Sequence, residues 1–259
     1  MEFQDKVALV TGAGSGIGKA TALRLGAGGA RVVVTSRTQE EIEATRDAII
    51  AAGGKALSVA ADVSESDEVK KVVEQTLATY GRIDVVVANA GINGVWAPID
   101  ELTPAEWDKT MNVNLRGTYL TLHHTVPALR KQGGAIVIVS SINGNRTFTS
   151  AGATAYSASK AAQVAMTKQL ALELGKDGIR VNAVCPGAID TAISDNTEKR
   201  NVAEVTIPVE FPEGDIPITG GRPGKSEDVA DVIAFLASDA SRHVTGVPVY
   251  IDGGQSLLR

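Results

Sequence analysis

Residues 6–18 read KVALVTGAGSGIG. The first half is a short apolar run with the valine content of a strand. The second half sets Gly12, Gly14, Gly16 and Gly18 close together, and GIGKATALRLGA (16–27) then reads as a helix. Strand, glycine turn and helix in that order have a physical use. Gly12, Gly16 and Gly18 permit a tight turn and close backbone approach. The helix start then offers free N–H groups and a positive dipole end to a phosphate. A glycine pattern alone says little, but here it sits in the context that phosphate binding requires.

The same alternation continues outward. Strand-like runs cover 6–12, 30–37, 56–63, 82–91, 133–141, 178–187 and 247–254. Helix-like stretches fill 38–54, 64–81, 104–130, 155–175 and 225–239, with Ser64 and Ser226 as N-caps. The strand runs are almost continuously apolar, as expected when both faces of a parallel sheet are covered. The expected fold is a doubly wound, Rossmann-like α/β sheet of about seven parallel strands in a single domain over 1–259. Residues 188–224 are rich in Pro, Gly and charge, with little periodicity. Loops that long are uncommon and often functional, so this segment is expected to be a substrate lid.

The end of the second strand bears on cofactor choice. An acid there would bond an adenosine ribose and repel a 2′-phosphate. This chain has Ser36 and Arg37 instead, with no acid before Glu40. A guanidinium offers a phosphate a fork of donors, so NADP(H) is favoured and NAD(H) remains possible.

Composition narrows the rest. The chain is 44% hydrophobic and 21% charged, the proportions of an ordinary globular protein. The net charge of −5 comes with scattered Lys and Arg, so nucleic acid is not an expected partner. There is no basic leader and no apolar run of membrane-spanning length, and a cytoplasmic protein is expected. Cys185, the only cysteine, sits at an apolar strand end and reads as buried filler. His123, His124 and His243 lack metal-ligand spacing, so no metal is expected. Trp96 and Trp107 fit a substrate cleft or ordinary packing equally.

Together these segments resemble the short-chain dehydrogenase/reductase family, in its branch of single-domain chains of this length. TGAGSGIG (11–18) is similar to that family's nucleotide turn, which implicates Gly12, Ser15, Gly16, Ile17 and Gly18. Asp62 and Val63 resemble its adenine-side pair. ANAG (88–91) resembles its N-N-A-G motif with Ala88 in place of the first Asn, leaving Asn89 and Gly91. NVNLRG (112–117) assigns Asn114, SSING (140–144) assigns Ser141, and AYSASK (155–160) assigns Tyr156 and Lys160. PGAIDT (186–191) resembles its nicotinamide-side loop, with Pro186, Gly187, Ile189 and Thr191. One departure stands out. Fourteen residues separate Ser141 from Tyr156, two more than the family commonly has, and Ser140 would leave fifteen.

The resemblance implies a nicotinamide-dependent interconversion of a small-molecule carbonyl and its secondary alcohol. A 3-oxoacyl thioester is one candidate substrate. A sugar or polyol dehydrogenase and a non-catalytic nucleotide sensor are the alternatives. Tyr156 and Lys160 would share a helix face at i and i+4. A free tyrosine titrates near pH ~10, and a neighbouring ammonium is expected to lower it into acid–base range. Ser141 would stabilise the developing oxyanion, and Asn114 would anchor a water leading from Lys160 to solvent. Relatives of this kind commonly form homotetramers through the helices at 104–130 and 155–175 and the last strand.

Overall fold

The computed structural model describes residues 2–191, 193 and 197–258. The strand that precedes the glycine turn lies in the middle of the sheet. β1 (Val7–Thr11) is buried throughout. It pairs in parallel with β2 (Arg31–Thr35) on one side and β4 (Val85–Ala88) on the other. Beyond β2 lies β3 (Lys55–Ser58). Beyond β4 lie β6 (Gly134–Val139), β7 (Ile179–Pro186) and β9 (Pro248–Ile251), giving seven parallel strands in the order β3-β2-β1-β4-β6-β7-β9. The remaining two strands, β5 (Val95–Trp96) and β8 (Glu198–Lys199), pair only with each other.

Alternate residues of each strand feed two cores. Ala8 and Val10 face Leu25 of α1 (Gly16–Ala27), Ile42 and Ile49 of α2 (Gln39–Ala51), and Ile233 of α7 (Ser226–Ala237). Leu9 faces the other layer, with Val72 of α3 (Ser66–Tyr80), Leu129 of α5 (Gly117–Leu129) and Leu174 of α6 (Thr154–Gly175). This two-sided burial is why the strands read as unbroken apolar runs. Each fully buried Leu or Ile contributes about 1.5–3 kcal/mol by leaving water. Strand order reverses between β1 and β4, so a crevice opens beyond their C-terminal ends, where such sheets bind ligands.

Several boundaries differ from expectation. β3 stops at Ser58 rather than 63, although Val59 and Ala61 still donate to Val34 and Ser36 carbonyls. Neither predicted serine cap holds. α3 begins at Ser66, and Ser64 Oγ donates to Asp62 Oδ1 at 2.7 Å instead. α7 begins at Ser226 itself, and Asp228 closes the turn by accepting from Lys225 N at 2.7 Å. The helix expected over 104–130 is interrupted. α4 (Pro104–Met111) starts with a Thr103–Glu106 capping box and runs into a five-residue π-turn, Asn112–Arg116, before α5. Such wide turns within helices are frequent at functional sites.

The 188–224 segment contains β8, two short 3₁₀ turns and a buried Ile216. Positions 192 and 194–196 lie outside the described residues. Among the described residues, no helix is long and apolar enough to cross a membrane.

Candidate active site

The glycine turn is built as its sequence requires. Gly12 and Gly16 have φ of +64° and +51°, a region that side chains disfavour. A Cβ on Gly18 would overlap the Gly12 carbonyl oxygen. Asn89, just past β4, secures the turn. Its Nδ2 donates to Thr11 O at 2.9 Å and Gly12 O at 3.2 Å, while its own N–H and that of Ala90 donate to Thr11 Oγ1.

The turn also suits an anion. The Ser15 side chain caps no N–H of α1, and the first turn of α1 has no acid. By contrast, α2, α3 and α7 each start with two acids. Open donors and a dipole without a built-in counter-charge fit the diphosphate of a dinucleotide. Ile17 packs against the core beneath. Thr191 lies over the turn, since a Cβ on Gly16 would come within 3.3 Å of its Cγ2.

At the adenosine end, Arg37 Nη1 lies 3.9 Å from Asp62 Oδ2. Ser36 Oγ donates to Thr38 O at 3.4 Å. Burial works against ionisation of Asp62, but two hydrogen bonds from Ser64 and the Arg37 charge outweigh it, so its pKa is lowered. Val63 is buried against Gly117. At the other end, Pro186 closes β7, and Gly187 N donates to Ile251 O at 3.0 Å. Ile189 bridges to Gly224. Gln255 then ties this loop down: its Oε1 accepts from Ala188 N, and its Nε2 donates to Asp215 Oδ2, both at 2.9 Å. The sequence offered no signal for Gln255.

The four expected catalytic residues converge beside that crevice. Tyr156 is in the first turn of α6, near its positive end. The Lys160 ammonium lies 5.6 Å from the Tyr156 ring centroid and donates to Val139 O at 2.9 Å. A Cβ on Gly91 would sit 3.4 Å from Lys160 Nζ and 3.2 Å from Asn114 Oδ1, so these groups meet over bare backbone. The Ser141 hydroxyl neighbours the Tyr156 phenol and favours its ionised form. Its Oγ accepts from Asn143 N at 3.2 Å, which leaves the hydroxyl proton free for the phenol or a substrate oxygen. Ser140 Oγ instead donates to Lys160 O at 2.8 Å. The structure therefore separates the two serines: Ser140 anchors α6, and Ser141 faces the tyrosine.

Asn114 is wholly buried in the π-turn. Its side chain accepts from Ile92 N at 2.8 Å and donates to Ile92 O at 2.9 Å and Ser159 Oγ at 3.0 Å. Its carbonyl accepts from Thr118 Oγ1 at 2.8 Å and from Gln163 Nε2 at 2.9 Å. Both lone pairs of that carbonyl are thus engaged by protein groups. Gln163, one turn beyond Lys160, is a second residue that sequence reading missed.

The electrostatics depart from expectation in one respect. Burial pushes the Tyr156 phenol up, and the neighbouring Ser141 hydroxyl opposes this without reversing it. Burial also pulls Lys160 down to about 8. The lowering expected from Lys160 does not enter, and desolvation of the phenol decides the direction. Cys185 is buried, and its thiol is pushed up to about 11, so it remains a protonated core residue. Among the described residues, no cluster of His, Cys, Asp or Glu could hold a metal ion.

A family model described as "Enoyl-(Acyl carrier protein) reductase" matches residues 12–256. The crystal structure of a 3-ketoacyl-ACP reductase from Sinorhizobium meliloti 1021 is 63% identical, with a TM-score of 0.95, over 98% of this chain and 100% of that one. The chain belongs to the short-chain dehydrogenase/reductase family. Levodione reductase from Leifsonia aquatica is 39% identical over 264 residues, covering 98% of this chain and 95% of the relative. A 3-ketoacyl-(acyl-carrier-protein) reductase from Brucella melitensis, solved with NADH, is 35% identical with a TM-score of 0.86, over 98% of this chain and 99% of that one. This short-chain dehydrogenase/reductase is an oxidoreductase that works with a nicotinamide cofactor.

Proposed function

We propose that the protein interconverts a small-molecule carbonyl and its secondary alcohol, with Tyr156 as the general acid–base. The observation that supports this most is the meeting of Ser141, Tyr156 and Lys160 beside a glycine turn suited to a dinucleotide. A pure nucleotide sensor needs no such acid–base group. When bound, the nicotinamide supplies or accepts the hydride. Tyr156 gives its proton to the carbonyl oxygen as negative charge develops there. Ser141 donates to the same oxygen. Lys160 holds positive charge under the phenol, and Asn114 fixes the backbone of Ile92 against α6. The 188–224 segment, a lid in this reading, closes the substrate side of the cleft. The 3-oxoacyl thioesters named for two structural relatives are the first substrate class to test. Nicotinamide absorbance is followed with ketones, oxo esters, sugars and 3-oxoacyl thioesters. Turnover of at least one carbonyl is expected, and tight cofactor binding with no turnover would return weight to the sensor reading.

Arg37 favours NADP(H), since the guanidinium at the adenosine end can meet a 2′-phosphate. The Glu41 side chain lies against Gly14 on the same turn and acts in the opposite sense, which keeps NAD(H) as the competitor. Arg37→Asp is expected to shift the NADPH/NADH ratio of kcat/KM toward NADH by about tenfold or more. An unchanged ratio would remove Arg37 from cofactor choice. A cytoplasmic homotetramer is the expected assembly. Exposed Tyr119 on α5, Leu172 on α6 and Phe235 on α7 give it apolar surface to cover, and sedimentation of the chain as a monomer would exclude it.

A further inference from the structure

Two very short strands bring a positive charge to the wall of the cleft. The Trp96 ring centroid, on β5, lies 6.5 Å from that of Tyr156. β8 is held alongside, with Val95 opposite Glu198 and Trp96 opposite Lys199. Arg200 N donates to Trp96 O at 2.9 Å. Asn93 Nδ2 donates to Thr197 Oγ1 at 2.7 Å and joins the same two segments a second time. Trp96 Nε1 donates to Asn93 O at 3.2 Å, which fixes the indole.

The charges of Glu198, Lys199 and Arg200 are used differently. Arg200 is fully engaged: it donates to both oxygens of Glu106 and to Glu101 O, and Glu198 lies 3.9 Å away. Lys199 has no carboxylate within 4.0 Å among the described residues. Its ammonium stands over the Trp96 ring instead, 5.4 Å from the centroid. Trp96 therefore neighbours both the proton donor and, on exposed Lys199, a cation with no carboxylate partner among the described residues. A neutral ketone would leave that cation to solvent, whereas an anionic substrate would pair with it.

We infer that the carbonyl substrate is an anion, with a carboxylate that Lys199 binds beside Trp96 while its carbonyl faces Tyr156 and Ser141. This rests on the oxidoreductase reading of the same cleft. If the substrate is a thioester, its acyl chain bears that carboxylate.

The test uses 2-oxo and 3-oxo acids, each with its methyl ester, on the full chain with NADPH. The unmodified protein is expected to prefer an acid to its ester. Lys199→Gln is expected to raise KM for the acid about two- to fivefold, the scale of one exposed ion pair. The ester's KM and kcat should stay unchanged, and Lys199→Arg should retain the preference. Equal use of acid and ester by the unmodified protein, or an equal shift for both in Lys199→Gln, would overturn the inference. Binding is read separately. Hydroxy acids and their methyl esters are titrated against Trp96 fluorescence in a Trp107→Phe background with oxidised cofactor present. Acid-selective binding lost in Lys199→Gln supports the inference, and equal binding of acid and ester overturns it. Lys199-dependent binding without turnover of any carbonyl would instead overturn the oxidoreductase reading, so the two failures are distinct.

Discussion

Tyr156→Phe is expected to reduce turnover on the order of a thousandfold, within the range that a positioned general acid contributes. The substitution is narrow. Phe keeps the ring beside Trp96 and Lys160 and removes only the hydroxyl that Ser141 meets. Cofactor affinity should change little, because the glycine turn, Asn89 and Asp62 lie on other elements. The direction of catalysis follows from burial. A phenol pushed above the ordinary tyrosine value stays protonated at neutral pH, the form a carbonyl reduction needs. Alcohol oxidation needs the phenolate, so its rate should climb into the alkaline range while reduction falls there. Single-turnover rates in both directions, with cofactor titrations, measure this. A variant that still reduces carbonyls at near the original rate would remove Tyr156 from the proton transfer.

What the sequence revealed depended on distance along the chain. The parallel sheet was legible because two-sided burial writes itself into each strand as a local apolar run. The glycine turn was legible because the glycines that its strain and close approaches require fall within seven residues, from Gly12 to Gly18. The π-turn was not, since its central Asn114 is held by Ile92, far back in the chain, and by Gln163 from another helix. The Ser-x-x-Gly spacing favoured Ser141 over Ser140, but the bond from Ser140 Oγ to Lys160 O spans twenty positions and was not legible. The pairing of β5 with β8 is two residues long and joins segments about a hundred positions apart, so no periodicity announced it. The sign of the Tyr156 shift was missed for a related reason. Counting Lys160 as a neighbour is possible from the i,i+4 spacing, but the desolvation that raises Tyr156 comes from the whole surrounding fold.

Lys160→Met should abolish most turnover and also expose the cost of burying an ammonium. Lys160 is only 4% exposed, and burial lowers it from 10.5 to about 8. In the unfolded chain it keeps its ordinary value. Between pH 8 and 10.5 the unfolded state therefore binds a proton that the folded state has released, and stability rises with pH. The contribution is fully present above 10.5 and is lost as pH falls to about 8. A shift of this size corresponds to a few kcal/mol, on the order of 3. Met removes the titration but keeps an apolar stem of similar length. The stability of the unmodified protein relative to Lys160→Met should thus increase across that window, with other lysines cancelling in the comparison. Below pH 8 the difference should be flat, since Lys160 is charged in both states and its Val139 bond is intact. Denaturant melts of the two proteins at pH 7, 8, 9 and 10 measure the difference. A constant offset across all four would mean that Lys160 titrates as a solvated lysine, and its charge would then be unaffected by the desolvation that also raises Tyr156.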